Sequence, residues 1–225
     1  MNALIIDLET GFKEKYGRKG NYLYNKIVAI GLCFQGEAYA KYLYPNDLEE
    51  IILEGIDVIV AHNATFDLLY LWNLESLQEF FKRGGKIWDT SLAEYILTGQ
   101  QHKFPALRDI AVNKYGCPER IKFQEQYWEA GIDTFEIPEE IVLQDVREDV
   151  LDTEKIYLQQ VEKAKELGVF DLIELENDAL LATTEMTYNG MKVDLEELEK
   201  NKRDLEQRLE QQRQELYSLI AGYWK

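Results

Sequence analysis

The sequence predicts an α/β fold: a mixed five-stranded sheet flanked by helices, with a helical extension at the C-terminus. Three observations predict it. Five short apolar runs have strand length and end in turn residues or acids. The early strands follow one another through loops, as antiparallel strands do. The later ones alternate with helical stretches, as parallel strands joined by crossovers do.

In order, residues 3–7 (ALIID) form a buried strand that delivers an acid at its C-terminal end. Residues 26–35 and 38–44 are the next two strands, separated by the turn-prone Gly36. A short helix is expected over 47–54, and DVIVAHN at 57–63 is the fourth strand. Helical periodicity runs from Thr65 to about Arg83, where Gly84-Gly85 stops it. KIWDT at 86–90 is the fifth strand, and helices follow at 91–98 and 105–115. Residues 117–138 show no clear period, and a loop with partial helix is expected there. A long carboxylate-rich helix spans Pro138 to Gly168, and a second covers 171–189. The last helix, from Asp194 to about Ala221, carries Leu198, Leu205, Leu209, Leu216 and Leu219 on one stripe, interrupted by Lys202 and Gln212.

The 225 residues hold 25 Lys+Arg against 42 Asp+Glu, a formal charge of −17. That balance excludes a protein that grips duplex DNA through a broad basic face. It suits one that meets nucleic acid through carboxylate-held cations. No run reaches the roughly 18 apolar residues of a membrane span, so no membrane partner is expected. The N-terminus has no secretory pattern, and two cysteines make no disulfide framework, which points to a reducing compartment.

The chemistry-bearing residues are acids. Asp7 and Glu9 lie two apart at a strand end and so share a face. Asp67 falls in the first turn of the helix after the fourth strand, and an acid from the long helix would complete a cluster of four. Strand ends meet in a crevice where α/β folds place their sites. Converging carboxylates repel unless cations hold them, and hard oxygen ligands select Mg²⁺ or Mn²⁺. Singly, a D-x-E pair is more often a solvated edge, and a first-turn Asp is more often a response to the helix dipole.

DLET at 7–10, HNATFD at 62–67 and DVREDVLDT at 145–153 resemble, in order and spacing, the three motifs of the DnaQ-like (DEDD) 3′–5′ exonucleases. The similarity is to the proofreading domain of family A DNA polymerases, as in bacterial DNA polymerase I and its phage relatives. WDTSLAEYIL at 88–97 and HKFPALRDIAVNKYG at 102–116 resemble its intervening segments, and EMTYNGMKVD at 185–194 resembles the opening of the polymerase domain. The resemblance implies an RNase H-like exonuclease domain over 1–170 and the helical start of a polymerase thumb over 171–225. It implies Asp7, Glu9, Asp67 and Asp149 as catalytic ligands of two Mg²⁺ or Mn²⁺ ions. Thr10, Asn63 and Phe66 would contact a single-stranded DNA 3′ end. A polymerase domain or subunit would be the partner, and the cytoplasm of a bacterial or phage-infected cell the location.

The third motif departs from that pattern. The family places Tyr or His four residues before the last acid, to position the attacking water; here Asp145 stands there. Asp145, Asp149 and Asp152 share a helix face, and choosing Asp152 as ligand would put Glu148 at the aromatic position; Asp145 and Asp152 read at least as readily as solvated acids on an exposed helix face. Two other readings therefore stand beside proofreading: an RNA-trimming exonuclease, and an inactive exonuclease fold kept for nucleic-acid binding or assembly. His62 reads as a packed or capping residue. The segment 11–24 interleaves Lys13, Lys15, Arg18 and Lys19 with Tyr16, Tyr22 and Tyr24, a composition suited to single strands. Lys103 and Arg108 are further candidates for phosphate contacts, although a solvated helix face explains them as well.

Overall fold

The structure, a computed structural model, describes residues 2–11, 22–101, 104–121 and 123–223. Of the residues singled out above, Lys13, Lys15, Tyr16, Arg18, Lys19 and Lys103 lie outside these. Five strands, β1 (Ala3–Thr10), β2 (Ile27–Phe34), β3 (Glu37–Tyr42), β4 (Val58–Ala61) and β5 (Lys86–Asp89), form one sheet in the order β3-β2-β1-β4-β5. β1 pairs antiparallel with β2 and parallel with β4, and β4 pairs parallel with β5. The mixed sheet is the one expected.

Alternation along β1 assigns its two faces. Leu4, Ile6 and Leu8 pack on one side with Ala64, Leu68 and Leu71 of α1 (Ala64–Leu71) and Leu77 and Phe80 of α2 (Glu75–Lys82). Ile5 faces the other side, against α3 (Thr90–Leu97) and the long α6 (Glu139–Glu166). Asp7 and Glu9 keep the parity of Ile5, so they point toward α6. α6 buries Val142, Val146 and Val150 at helical spacing against the sheet. It comes close because Gly31, paired with Asp7 across β1 and β2, has no side chain. A Cβ at Gly31 would lie 2.8 Å from the Val146 carbonyl oxygen and 3.0 Å from Val150 Cγ1.

Two sequence expectations are corrected. Residues 47–54 are not helical: Ile51 and Leu53 are buried while Ile52 between them is exposed, a period of two. Glu50 there accepts hydrogen bonds from Glu75 N (3.3 Å) and Ser76 N (3.2 Å), holding the start of α2. The single helix expected over 65–83 is two, because the chain turns at Trp72–Leu74 and Leu74 is extended. The expected loop with partial helix over 117–138 is found as α5 (Phe123–Glu129) and a 3₁₀ turn at Thr134–Glu136.

α4 (Leu107–Asn113) rests on α6, and α7 (Phe170–Asn189) returns to the sheet. Asn177 of α7 accepts the Asp89 N–H at 2.8 Å, and Ile173 is fully buried beside Trp88. By packing the chain divides into Met1–Tyr188 and Asn189–Lys225. In the second unit α8 (Leu195–Tyr223) is capped by Asp194, which accepts from Glu196 N and Glu197 N. Its Leu198, Leu205, Leu209, Leu216 and Leu219 are exposed. Among the described residues no helix is long and apolar enough to cross a membrane.

Candidate active site

β1 ends beside α6 and the start of α1, and the predicted acids converge there. Asp7, Glu9 and Asp149 place carboxylate oxygens within 4.8 Å of one another. Asp149 is buried, and the other two are half-buried. Three negative groups at that spacing, partly out of water, repel strongly. An all-oxygen set of this kind fits a hard divalent cation such as Mg²⁺ or Mn²⁺.

Asp67 stands slightly apart, on the first turn of α1. It is buried and accepts the Leu8 N–H at 3.1 Å, which ties the helix to the strand between Asp7 and Glu9. Burial, then the charges of Asp7 and Asp89, push its carboxyl well above the ordinary carboxylate range.

The backbone carrying Asp67 is organised by Asp89, which sequence reasoning did not single out. Its carboxylate accepts from Asn63 N (3.0 Å), Ala64 N (2.9 Å), Ser91 N (2.8 Å) and Leu92 N (3.3 Å), so one side chain caps both α1 and α3. The signal was present in Trp-Asp-Thr-Ser, an Asp at a strand-to-helix turn. Asn63 adopts the left-handed conformation (φ 63°) that Asn tolerates better than most residues. Its side chain is exposed on a cleft of about 1040 Å³ that His62, Phe104 and Trp128 also line. Phe66 stacks obliquely on Tyr70, with ring centroids 5.2 Å apart. Thr10 is nearly buried, and its carbonyl accepts the Thr134 hydroxyl at 2.9 Å. His62 bridges Thr90 Oγ1 and the Pro105 carbonyl, and burial holds its pKa below the ordinary value.

The neighbours on α6 differ from expectation. Asp145 is no solvated surface acid: it is 2% exposed and accepts the Gln124 N–H at the start of α5 (3.3 Å). Asp152 accepts from Arg120 at 3.0 Å. Asp149, not Asp152, is the acid that α6 brings to Asp7 and Glu9. Arg108 pairs with Glu125 (3.2 Å).

The sequence matches no family model, and no curated protein aligns with it significantly. Solved structures do share its architecture. Brucella melitensis NrnC with bound Mg²⁺ superposes with a TM-score of 0.61 at 15% identity, over 84% of this chain and 86% of that one. The fold is RNase H-like. NrnC bound to pGG gives a TM-score of 0.60 at 14% identity, over 85% and 88% of the two chains. The catalytic core of RRP6 from Trypanosoma brucei gives 0.50 at 16% identity, over 79% of this chain and 46% of that one. These likenesses carry the fold and give no support to a place among family A polymerases.

Proposed function

We propose that this protein is a metal-dependent 3′–5′ exonuclease acting on single-stranded nucleic-acid ends. The observation that carries the reading is the carboxylate triad of Asp7, Glu9 and Asp149 within 4.8 Å, with Asp67 beside it. Those four residues would hold a pair of Mg²⁺ or Mn²⁺ ions. When bound, such ions supply activation of a water and charge neutralisation at the leaving 3′-oxygen. The chain's own part is to hold the acids in place. Asp67 is fixed by the Leu8 N–H, Asp149 by burial on α6, and Asp7 and Glu9 by the strand. Asn63 and Phe66 lie on α1 and its cap, next to Asp67, where a terminal nucleotide can be oriented. No histidine or tyrosine stands in the place of Asp145 to position the attacking water.

The products are nucleoside 5′-monophosphates. The binding of pGG by NrnC supports a single-stranded substrate and favours one second reading, trimming of short RNA. The proofreading role and a polymerase partner for the exposed α8 stripe rest on the sequence resemblance. The test is release of mononucleotides from 3′-labelled DNA and RNA strands of one sequence, with Mg²⁺, Mn²⁺ or EDTA. Asp149→Asn should lower the rate by at least about a hundredfold while the protein stays folded. Full activity in EDTA, or in Asp149→Asn, overturns the reading.

A further inference from the structure

α8 is 29 residues long, about 43 Å of helix, and every side chain described along it is exposed. A helix in a protein is held mainly by the packing of its apolar face, not by propensity. α8 has such a face. Leu195, Leu198, Leu205, Leu209, Leu216 and Leu219 are each at least half exposed, and among the described residues no core cluster includes them.

Their spacing is a heptad repeat. With Leu195 at a, the a positions are Leu195, Lys202, Leu209 and Leu216, and the d positions are Leu198, Leu205, Gln212 and Leu219. A polar residue in such a seam fixes register and direction, because it costs least opposite another polar group. Two parallel helices in register would set Lys202 against its own copy, charge on charge. Antiparallel helices set each a position against a d. One alignment, centred on Gln207, puts Lys202 opposite Gln212 of the second copy. The same alignment pairs Leu195 with Leu219, Leu198 with Leu216 and Leu205 with Leu209. Sliding either helix by one heptad sets both polar residues against leucine.

The flanking charges agree. In the antiparallel alignment e meets e and g meets g, so Glu199 meets Arg213 of the second copy at two symmetric places. Glu206 and Arg208 meet their own copies at the axis, each with an opposite charge one turn earlier on its own helix, Lys202 and Asp204. The parallel arrangement brings Asp194 to Glu199 and Arg208 to Arg213, each twice, and makes no opposite pair. Size is adequate too. At roughly 100 Å² of apolar surface per leucine, the six on each helix bury on the order of 1,200 Å² together, the lower end of a specific interface.

We propose that α8 is a self-association surface that pairs antiparallel with α8 of a second copy of this chain. It carries none of the proposed metal ligands, so the inference stands apart from the exonuclease reading.

Sedimentation of the full chain over about 1–100 μM should show the mass rising from 26.4 kDa to twice that value. Leu209→Glu should raise the dissociation constant at least about a hundredfold, and Gln207→Glu, on the outer face of the helix, should leave it unchanged. Arg213→Glu tests direction: it should weaken an antiparallel dimer about fivefold and would tighten a parallel one. Leu198→Cys mixed with Leu216→Cys and oxidised at high concentration should give the mixed cross-link, with neither variant linking to itself; the native Cys33 and Cys117 are buried. A monomer at every concentration overturns the proposal and leaves the stripe to a different partner or to further chain. A dimer indifferent to Leu209→Glu overturns it by placing the interface elsewhere. Tightening by Arg213→Glu, or Leu198→Cys linking to its own copy, overturns the antiparallel pairing.

Discussion

Two acids at the site have environments that make opposite demands, and each gives a prediction. Asp67 is buried beside Asp7, and its carboxyl is held above the ordinary range by burial first and by that neighbour second. A raised carboxyl pKa favours the protonated fold. The stability it lends is complete below the unfolded value of about 3.9 and is lost as pH rises through the folded value. In EDTA, Asp67→Asn keeps the acceptor for Leu8 N and removes the charge. Its Tm should exceed that of the wild type at pH 8 and decline less between pH 5 and 8. With saturating Mg²⁺ the order should reverse, because the variant has lost a proposed ligand. A thermal melt series over pH, with and without metal, reads both. Asp145 is the contrary case, a buried acid with a structural partner. From sequence, Asp145→Tyr would restore the family's water-positioning aromatic and speed cleavage. The structure reverses that expectation: a tyrosine there loses the Gln124 N–H acceptor and forces a large ring into a site that is 2% exposed. Asp145→Tyr should lose about 1–3 kcal/mol in urea unfolding and cleave more slowly.

At the scale of elements, the site depends on how near α6 lies to β1 and β2. Gly31 sets that distance, since even one carbon there would sit 2.8 Å from the Val146 carbonyl. Gly31→Val should push α6 outward, carry Asp149 away from Asp7 and Glu9, and weaken Mg²⁺ binding along with about 1–3 kcal/mol of stability. Isothermal titration with Mg²⁺ and chemical unfolding on the same variant separate the two effects. An unchanged Mg²⁺ affinity in a destabilised Gly31→Val protein would deny Gly31 its role in placing the ligand. Much of this architecture was legible. The five strands announce themselves through β-branched runs, and alternation alone puts Asp7 and Glu9 on one face. Gly31 was not legible, because a strand glycine reads as weakness until the helix above it is known. Asp89 was legible in Trp-Asp-Thr-Ser as the cap of α3, but not as the cap of α1, whose start lies 25 residues earlier in the chain. The spurious helix at 47–54 arose because LEEIIL satisfies a helical period as readily as a strand's alternation. Only the burial of Ile51 and Leu53 against the core decides between them.

For the whole molecule, the question is how much chain the proposed catalytic unit needs. The sequence resemblance divides the chain at 170, and the packing divides it at 188. The difference is α7, and its contacts are structural. Asn177, 1% exposed, accepts the Asp89 N–H, and Asp89 in turn caps the helix that carries Asp67. Ile173 is fully buried beside Trp88, Lys86 pairs with Asp178 at 2.9 Å, and Thr184 is fully buried. Removing α7 therefore opens the core under β5 and frees the residue that orders α1. α8 contributes none of the proposed ligands. Two truncations distinguish the boundaries. A chain ending at residue 188 should keep its Tm within about 2 °C, a change of under 1 kcal/mol for a unit of this size, and should retain metal-dependent cleavage of single strands. A chain ending at residue 170 should lose more than about 4 kcal/mol, because a buried isoleucine and a buried hydrogen-bonded asparagine go together. It should fail to give a cooperative melt. If the shorter chain melts cooperatively and cleaves while the longer one does not, α7 is no part of the catalytic unit, and Asp89 must hold α1 without help from Asn177.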